Sequence, residues 1–124
     1  MPFTTGLVTN TRDFGTAATN IVINARNISS VNAATVLVQI FGSTDSSALV
    51  PLYQTAYPIA PNSFHIREFF IAGNVSYEVQ LNVSGTTPQN VIMSIYGLDE
   101  FGNLVTDQRF AQSELTQVQT LSPI

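Results

Sequence analysis

Tyr77, Val79, Leu81 and Val83 alternate with Ser76, Glu78, Gln80 and Asn82, a period of two that belongs to a strand with one buried face. The run from Thr35 to Phe41 is apolar on both sides and suits an inner strand. In Val91 to Leu98, the residues Val91, Met93 and Ile95 stand opposite Ile92, Ser94 and Tyr96. Shorter candidate strands cover 21–28 and 64–71. The segment 49–59 carries Pro51 and Pro58, with Pro61 just beyond. Proline cannot donate to a ladder, so this segment belongs at a sheet edge or breaks in two. Turn chemistry separates the runs at 42–45, 60–63, 72–74 and 85–88. Asp99-Glu100-Phe101-Gly102-Asn103 reads as a hairpin linker with glycine where positive φ is needed. Beyond it, 104–110 and 115–121 supply the last strands.

Seven or eight short strands with no helical periodicity indicate an all-β sandwich. A jelly roll is the first choice and an immunoglobulin-like topology the alternative. The sandwich is assigned to residues 18–124. Residues 1–17 differ, with Phe3, Leu7, Val8 and Phe14 isolated among threonines, asparagine and glycine. In an extended chain Phe3 and Leu7 face the same way, about 13 to 14 Å apart. This N-terminal arm either packs on its own domain or adds a strand to a neighbouring subunit. In the second case Phe3, Leu7, Val8 and Phe14 are the candidate interface residues.

Composition sharpens the picture. The 124 residues are 44% hydrophobic but only 10% charged, against roughly 25% charged in an average domain. Mean hydropathy is +0.20. Roughly a third of the chain is Ser, Thr, Asn or Gln, so the surface is wetted by neutral groups. No lysine occurs, and the cations are Arg12, Arg26, Arg67 and Arg109. Such a surface lacks a common device against edge-to-edge pairing and much of the repulsion that keeps copies apart. A net charge of -4 argues against nucleic acid as a partner, which needs clustered cations, and against an anionic membrane surface. No apolar run reaches the roughly 20 residues of a membrane span. The start has neither a basic region nor an apolar core of a secretory signal. The absence of cysteine excludes disulfides and thiolate metal sites.

Catalytic chemistry finds little to work with. The one histidine, His65, alternates with Phe64 and Ile66 and is expected on the outer face of a strand. No Gly-x-Ser-x-Gly elbow is present, and Glu68 and Glu78 are the only pairing suggested for glycoside hydrolysis. One His without Cys makes no conventional zinc site, and neither a phosphate-cradling glycine pattern nor EF-hand spacing occurs. The expectation is therefore no enzyme, no metal and no cofactor. Asn27-Ile28-Ser29, Asn74-Val75-Ser76 and Asn82-Val83-Ser84 match the N-glycosylation triplet, which arises readily in such a composition. Arg67 with Glu68, and Asp107 with Arg109, are expected as exposed ion pairs. Tyr53 and Tyr57 are candidates for an aromatic sugar platform.

The stretch Asn90-Val91-Ile92-Met93-Ser94-Ile95-Tyr96-Gly97-Leu98-Asp99, followed by Gly102-Asn103-Leu104, Arg109 and Ser113-Glu114-Leu115, resembles a pattern in small β-rich proteins of spore-forming Firmicutes. Pro61-Asn62-Ser63 and Tyr77-Glu78-Val79-Gln80 are similar too, so the resemblance spans most of 20–118. The functional class it points to is the fibrillar endospore appendage subunits, jelly-roll proteins in which an N-terminal segment docks into an adjacent subunit. The resemblance implies a structural, pilus-like homopolymer on the spore surface, built by strand donation, with possible anchor or tip proteins. It also implies production in the mother cell without a secretion signal. Without cysteine the chain departs from the disulfide-linked appendage families, and the implied assembly is non-covalent. The alternative function is a carbohydrate- or partner-binding module of the spore or cell surface.

Overall fold

A computed structural model describes residues 2–10 and 17–124. Ten strands make two antiparallel sheets: β1 (Pro2–Thr4), β2 (Val8–Thr9), β3 (Asn20–Asn27), β4 (Ala34–Ser43), β5 (Val50–Ile59), β6 (Phe64–Phe70), β7 (Ser76–Gly85), β8 (Val91–Leu98), β9 (Leu104–Phe110) and β10 (Thr116–Gln117). The first sheet runs β10-β1-β7-β4-β5, with β2 also beside β7; the second runs β6-β3-β8-β9. The protein is a β-sandwich. Seven of the ten are the long strands anticipated from the periodicity, and the other three are two or three residues long.

The alternating residues form the core as their period requires. Ile21, Ile23 and Ala25 of β3, Val36, Val38 and Ile40 of β4, Tyr77, Val79, Leu81 and Val83 of β7, and Val91, Met93 and Ile95 of β8 fill the space between sheets. Burying each large side chain contributes about 1.5 to 3 kcal/mol. β5 is an edge strand of the first sheet, as its prolines require. A register shift opposite Ile40/Phe41 leaves Leu52 unpaired beside Pro51, which bends that edge. At the Asp99 hairpin, Gly102 adopts φ +83°, and the Asp99 carboxylate accepts the N–H groups of Phe101 and Asn103 at 2.9 Å each.

Two expectations are corrected. The segment 115–121 is a strand only at Thr116–Gln117; beyond it the chain lies over the outside of the first sheet as a strap. Ser122 donates its N–H to Gln80 Oε1 at 2.8 Å, and its carbonyl accepts from Gln39 Nε2 at 3.0 Å. Gln39 and Gln80, which face away from the core, are thereby buried. The second correction concerns β6, whose phase is opposite to that expected. Phe64, Ile66 and Phe70 point outward and are 69%, 60% and 62% exposed. His65, Arg67 and Phe69 turn toward β5 instead, as their contacts with Tyr57, Thr55 and Tyr53 show. Arg67 and Glu68 therefore occupy opposite faces, and the ion pair expected between them does not form.

This phase has a direct test. Phe69→Ala, which empties a site between the sheets, is expected to cost about 3 to 5 kcal/mol. The adjacent Phe70→Ala is expected to change stability by less than about 0.5 kcal/mol. Urea unfolding at low protein concentration reads both, and equal losses would contradict the inverted phase.

Candidate subunit interface

Residues 2–10 are not a free tail in this chain. They run antiparallel along the edge of β7 in their own molecule, with Phe3 opposite Leu81 and Val8 opposite Tyr77. Between the two short strands, Thr5 N–H donates to the Val79 carbonyl at 3.0 Å, and the Val79 N–H donates back to Thr5 Oγ1 at 3.0 Å. Thr4 Oγ1 donates to the Glu78 carboxylate. On the other side of β1, Val118 N–H donates to the Pro2 carbonyl at 3.0 Å, so the arm is held between β7 and the C-terminal segment. The packing expected on a neighbour is thus made in cis for these residues. Phe3 and Val8 pack against the core, Leu7 is 68% exposed, and Phe14 lies outside the described residues.

Asn10, the last described residue before position 17, anchors this part of the arm. Its side-chain amide is buried and fully used: Nδ2 donates to the carbonyls of Ala18 and Asn74 at 2.9 Å each. Oδ1 accepts the Ala18 N–H at 2.8 Å and Gln108 Nε2 at 2.9 Å. Gln108 Oε1 in turn accepts the Tyr77 hydroxyl at 2.7 Å. Gln108 reaches inward because β9 carries extra residues opposite Gly97, between the pairs Tyr96↔Arg109 and Leu98↔Leu104. Gly97 makes room for it: a Cβ there would stand 2.7 Å from Gln108 Oε1. Sequence reading missed this network. Its signal was an Asn and a Gln placed where only bonded polar groups can be buried.

Cavities lie beside the arm and at the bulge of β9. An apolar one of about 310 Å³ lies where Phe3 meets Val83, Val91, Met93 and Gln112. Leu7 borders a shallow depression with Ser47 and Leu49. A third, of about 630 Å³, lies under the β9 bulge, lined by Tyr96, Asp107, Arg109 and Glu114 among others. Asp107 there adopts φ +68°, and the Arg109 guanidinium lies 5.9 Å from the centre of the Tyr96 ring.

The chemical candidates are dispersed. Glu68 and Glu78 project from the outer faces of opposite sheets, so they cannot act on one bond. His65 stacks on Tyr57 at 4.1 Å between ring centres, and Arg67 covers the same ring at 4.8 Å. Tyr57 is therefore no open sugar platform, and the Tyr53 hydroxyl is bonded to the Phe70 carbonyl at 2.8 Å. Among the described residues no group of three His, Asp or Glu is placed to hold a metal. The Asn27 amide of the first glycosylation triplet is buried on the carbonyls of Asn32, Ile59 and Ala60. No helix among the described residues is long and apolar enough to cross a membrane.

Two substitutions probe these groups. Asn10→Ala leaves buried donors and acceptors unpaired, each costing about 1 to 3 kcal/mol. In this variant, hydrogen exchange is expected to show the backbone amides of Thr5 and of position 10 losing protection well before those of β4. The Tyr57 hydroxyl is buried without a partner, and burial raises its pKa above the ordinary value, opposed by the Arg67 charge. The unfolded phenol thus releases its proton first, so this residue's contribution is intact below about pH 10 and declines as pH rises further. Tyr57→Phe is expected to stabilise by about 1 kcal/mol at pH 7 and to flatten that alkaline decline in pH-dependent urea titrations.

Comparison with known proteins finds no matching family model, no similar curated protein and no similar solved structure.

Proposed function

We propose that this protein is a structural subunit that assembles non-covalently with copies of itself into a surface fibre of the spore-appendage type. Residues 2–10 serve as the strand passed between neighbours. The observation that carries this reading is the separateness of the arm's seat. One edge of β7 receives residues 2–10, and Ala18, Asn74 and Gln108 hold the Asn10 amide, with Tyr77 bonded in turn to Gln108. A neighbour's residues 2–10 would make the same hydrogen bonds and bury the same side chains, so exchange from cis to trans needs no new contact chemistry. Donation in one direction around such a seat is head-to-tail, and it extends into a filament unless the rotation between copies closes a ring. The lysine-free, weakly charged surface lowers the repulsion between accumulating copies.

A second reading, a carbohydrate-binding module, draws on the cleft under the β9 bulge. Tyr96 offers a ring, and Asp107, Glu114 and Arg109 offer acceptors and donors for hydroxyls. Oligosaccharide titration with Tyr96→Ala as control separates it: saccharide binding by a monomer, lost in the variant, would favour this module over the fibre.

The fibre reading is tested with the double variant Leu7→Cys/Ser47→Cys, since both positions border one depression and the chain has no other cysteine. Trans docking is expected to give a ladder of covalent oligomers on non-reducing gels, and electron microscopy is expected to show filaments of the unmodified chain. A disulfide formed only within monomers, with no filaments over a wide concentration range, would reject strand exchange.

A further inference from the structure

We infer that the free edge of β6 is a second self-association site, pairing antiparallel with β6 of another copy about a two-fold axis through Ile66. The phase of the β3–β6 ladder is set at both ends. Asn27 N–H donates to the Ser63 carbonyl at 2.9 Å, and Ile71 N–H donates to the Thr19 carbonyl at 2.7 Å. Bonded and non-bonded pairs alternate in an antiparallel ladder, and the register is continuous from Asn20↔Phe70 to Arg26↔Phe64. His65, Arg67 and Phe69 therefore direct their backbone groups to β3, while those of Phe64, Ile66, Glu68 and Phe70 point away. The Phe70 carbonyl is taken by the Tyr53 hydroxyl. The N–H groups of Phe64, Ile66 and Glu68 donate to no described residue, and their carbonyls accept from none.

The other margins are guarded. β5 carries Pro51, Pro58 and a register shift, β9 is bulged and turns through positive φ at Asp107, and β10 has two residues. β6 has neither proline, lysine nor bulge, and three of its four outward side chains, Phe64, Ile66 and Phe70, are large, apolar and exposed, Glu68 being the fourth. These are the features that leave an edge open to another strand.

The spacing of the free groups and the charges beside them leave one self-complementary register, which makes a second copy of this chain the occupant. An axis through Arg67 would set two guanidiniums face to face, and one through Glu68 would oppose two carboxylates; like charges directly opposite destabilise a pair. An axis through His65 leaves Glu68 unpaired. With the axis through Ile66, Phe64 lies opposite Glu68 of the second copy and Ile66 opposite its counterpart, so every free group of the three residues is bonded. The two four-stranded sheets then become one continuous sheet, with the two Ile66 side chains meeting on its outer face and Phe64 of each copy beside Glu68 of the other. This contact closes on itself and uses no residue of the arm. It deepens the self-assembly reading by adding a lateral contact, and rests on that reading only in supposing that copies meet.

Ile66→Pro is the decisive variant, because its N–H points away from β3 and the ring removes no bond of the β3–β6 ladder. Circular dichroism is expected to show the fold retained, and sedimentation to show self-association weakened at least tenfold. In a complementary experiment, Ile66→Cys is expected to form a disulfide-linked dimer, since bonded antiparallel pairs bring Cα atoms to about 5.5 Å, within disulfide reach. Ile92→Cys, two strands inward on the same outer face, is expected not to. Association unchanged by Ile66→Pro would overturn the inference. So would equal cross-linking at Ile92, which would mean stacked faces rather than joined edges. If Leu7→Cys/Ser47→Cys gives its ladder while Ile66→Cys stays monomeric, the lateral site fails alone. If both remain monomeric, the self-assembly reading fails with it.

Discussion

Much of this molecule depends on what covers the second edge of β7. Ten residues long, that strand supplies Tyr77, Val79, Leu81 and Val83 to the core, and β4 satisfies one of its sides. On the other side, unpaired peptide groups beside a buried face would cost as much as lost hydrogen bonds. Residues 2–10 remove that cost with two very short strands and a threonine that pairs in the gap between them. Such a segment has little hold of its own, because short strands gain few ladder bonds. Its anchorage comes from Asn10, whose amide makes four hydrogen bonds in a buried setting, where a satisfied network is strong and a broken one costly.

That arrangement gives a fold with an interlocked centre and one edge completed by the chain's own N-terminal residues. The core strands hold one another through side chains at a period of two. The arm holds through a row of backbone bonds and one polar plug. Contacts of the first kind cannot be exchanged between copies without unfolding. Contacts of the second kind are made along one strand edge, with residues that, Ala18 apart, lie far along the chain.

The periodic part of the fold was legible from residue order alone. The alternations in β7 and β8 predicted their buried faces, and the prolines of β5 predicted an edge. β6 was not legible in the same way. Its alternation, Phe64-His65-Ile66-Arg67-Glu68, is clear, but its phase is set by a hairpin that hands the chain from one sheet to the other. Tyr57 of β5 then offers His65 and Arg67 a ring to stack on, which outweighs turning Phe64 and Ile66 inward. Burying Gln39 and Gln80 beneath the C-terminal strap likewise depends on Ser122, some forty residues or more away in sequence, and no local pattern reports such a partner. The interface candidates Phe3, Leu7 and Val8 were found because isolated apolar residues in a threonine-rich segment are visible without any partner. Asn10 was overlooked because polar residues carry no period.

The treatment of the sheet margins ties these observations together. Proteins commonly discourage strand addition with lysine, proline, bulges or a covering segment. This chain uses three of the four: proline and a shifted register on β5, a wide bulge on β9, and the arm over β7. Lysine is missing everywhere, so wherever the other devices are absent nothing takes their place. β6 is that place, and its outward row is Phe64, Ile66, Glu68 and Phe70, three large apolar side chains and one carboxylate. An edge left open while its neighbours are closed, in a chain able to form bulges and place prolines, fits a surface kept for contact better than one left unattended.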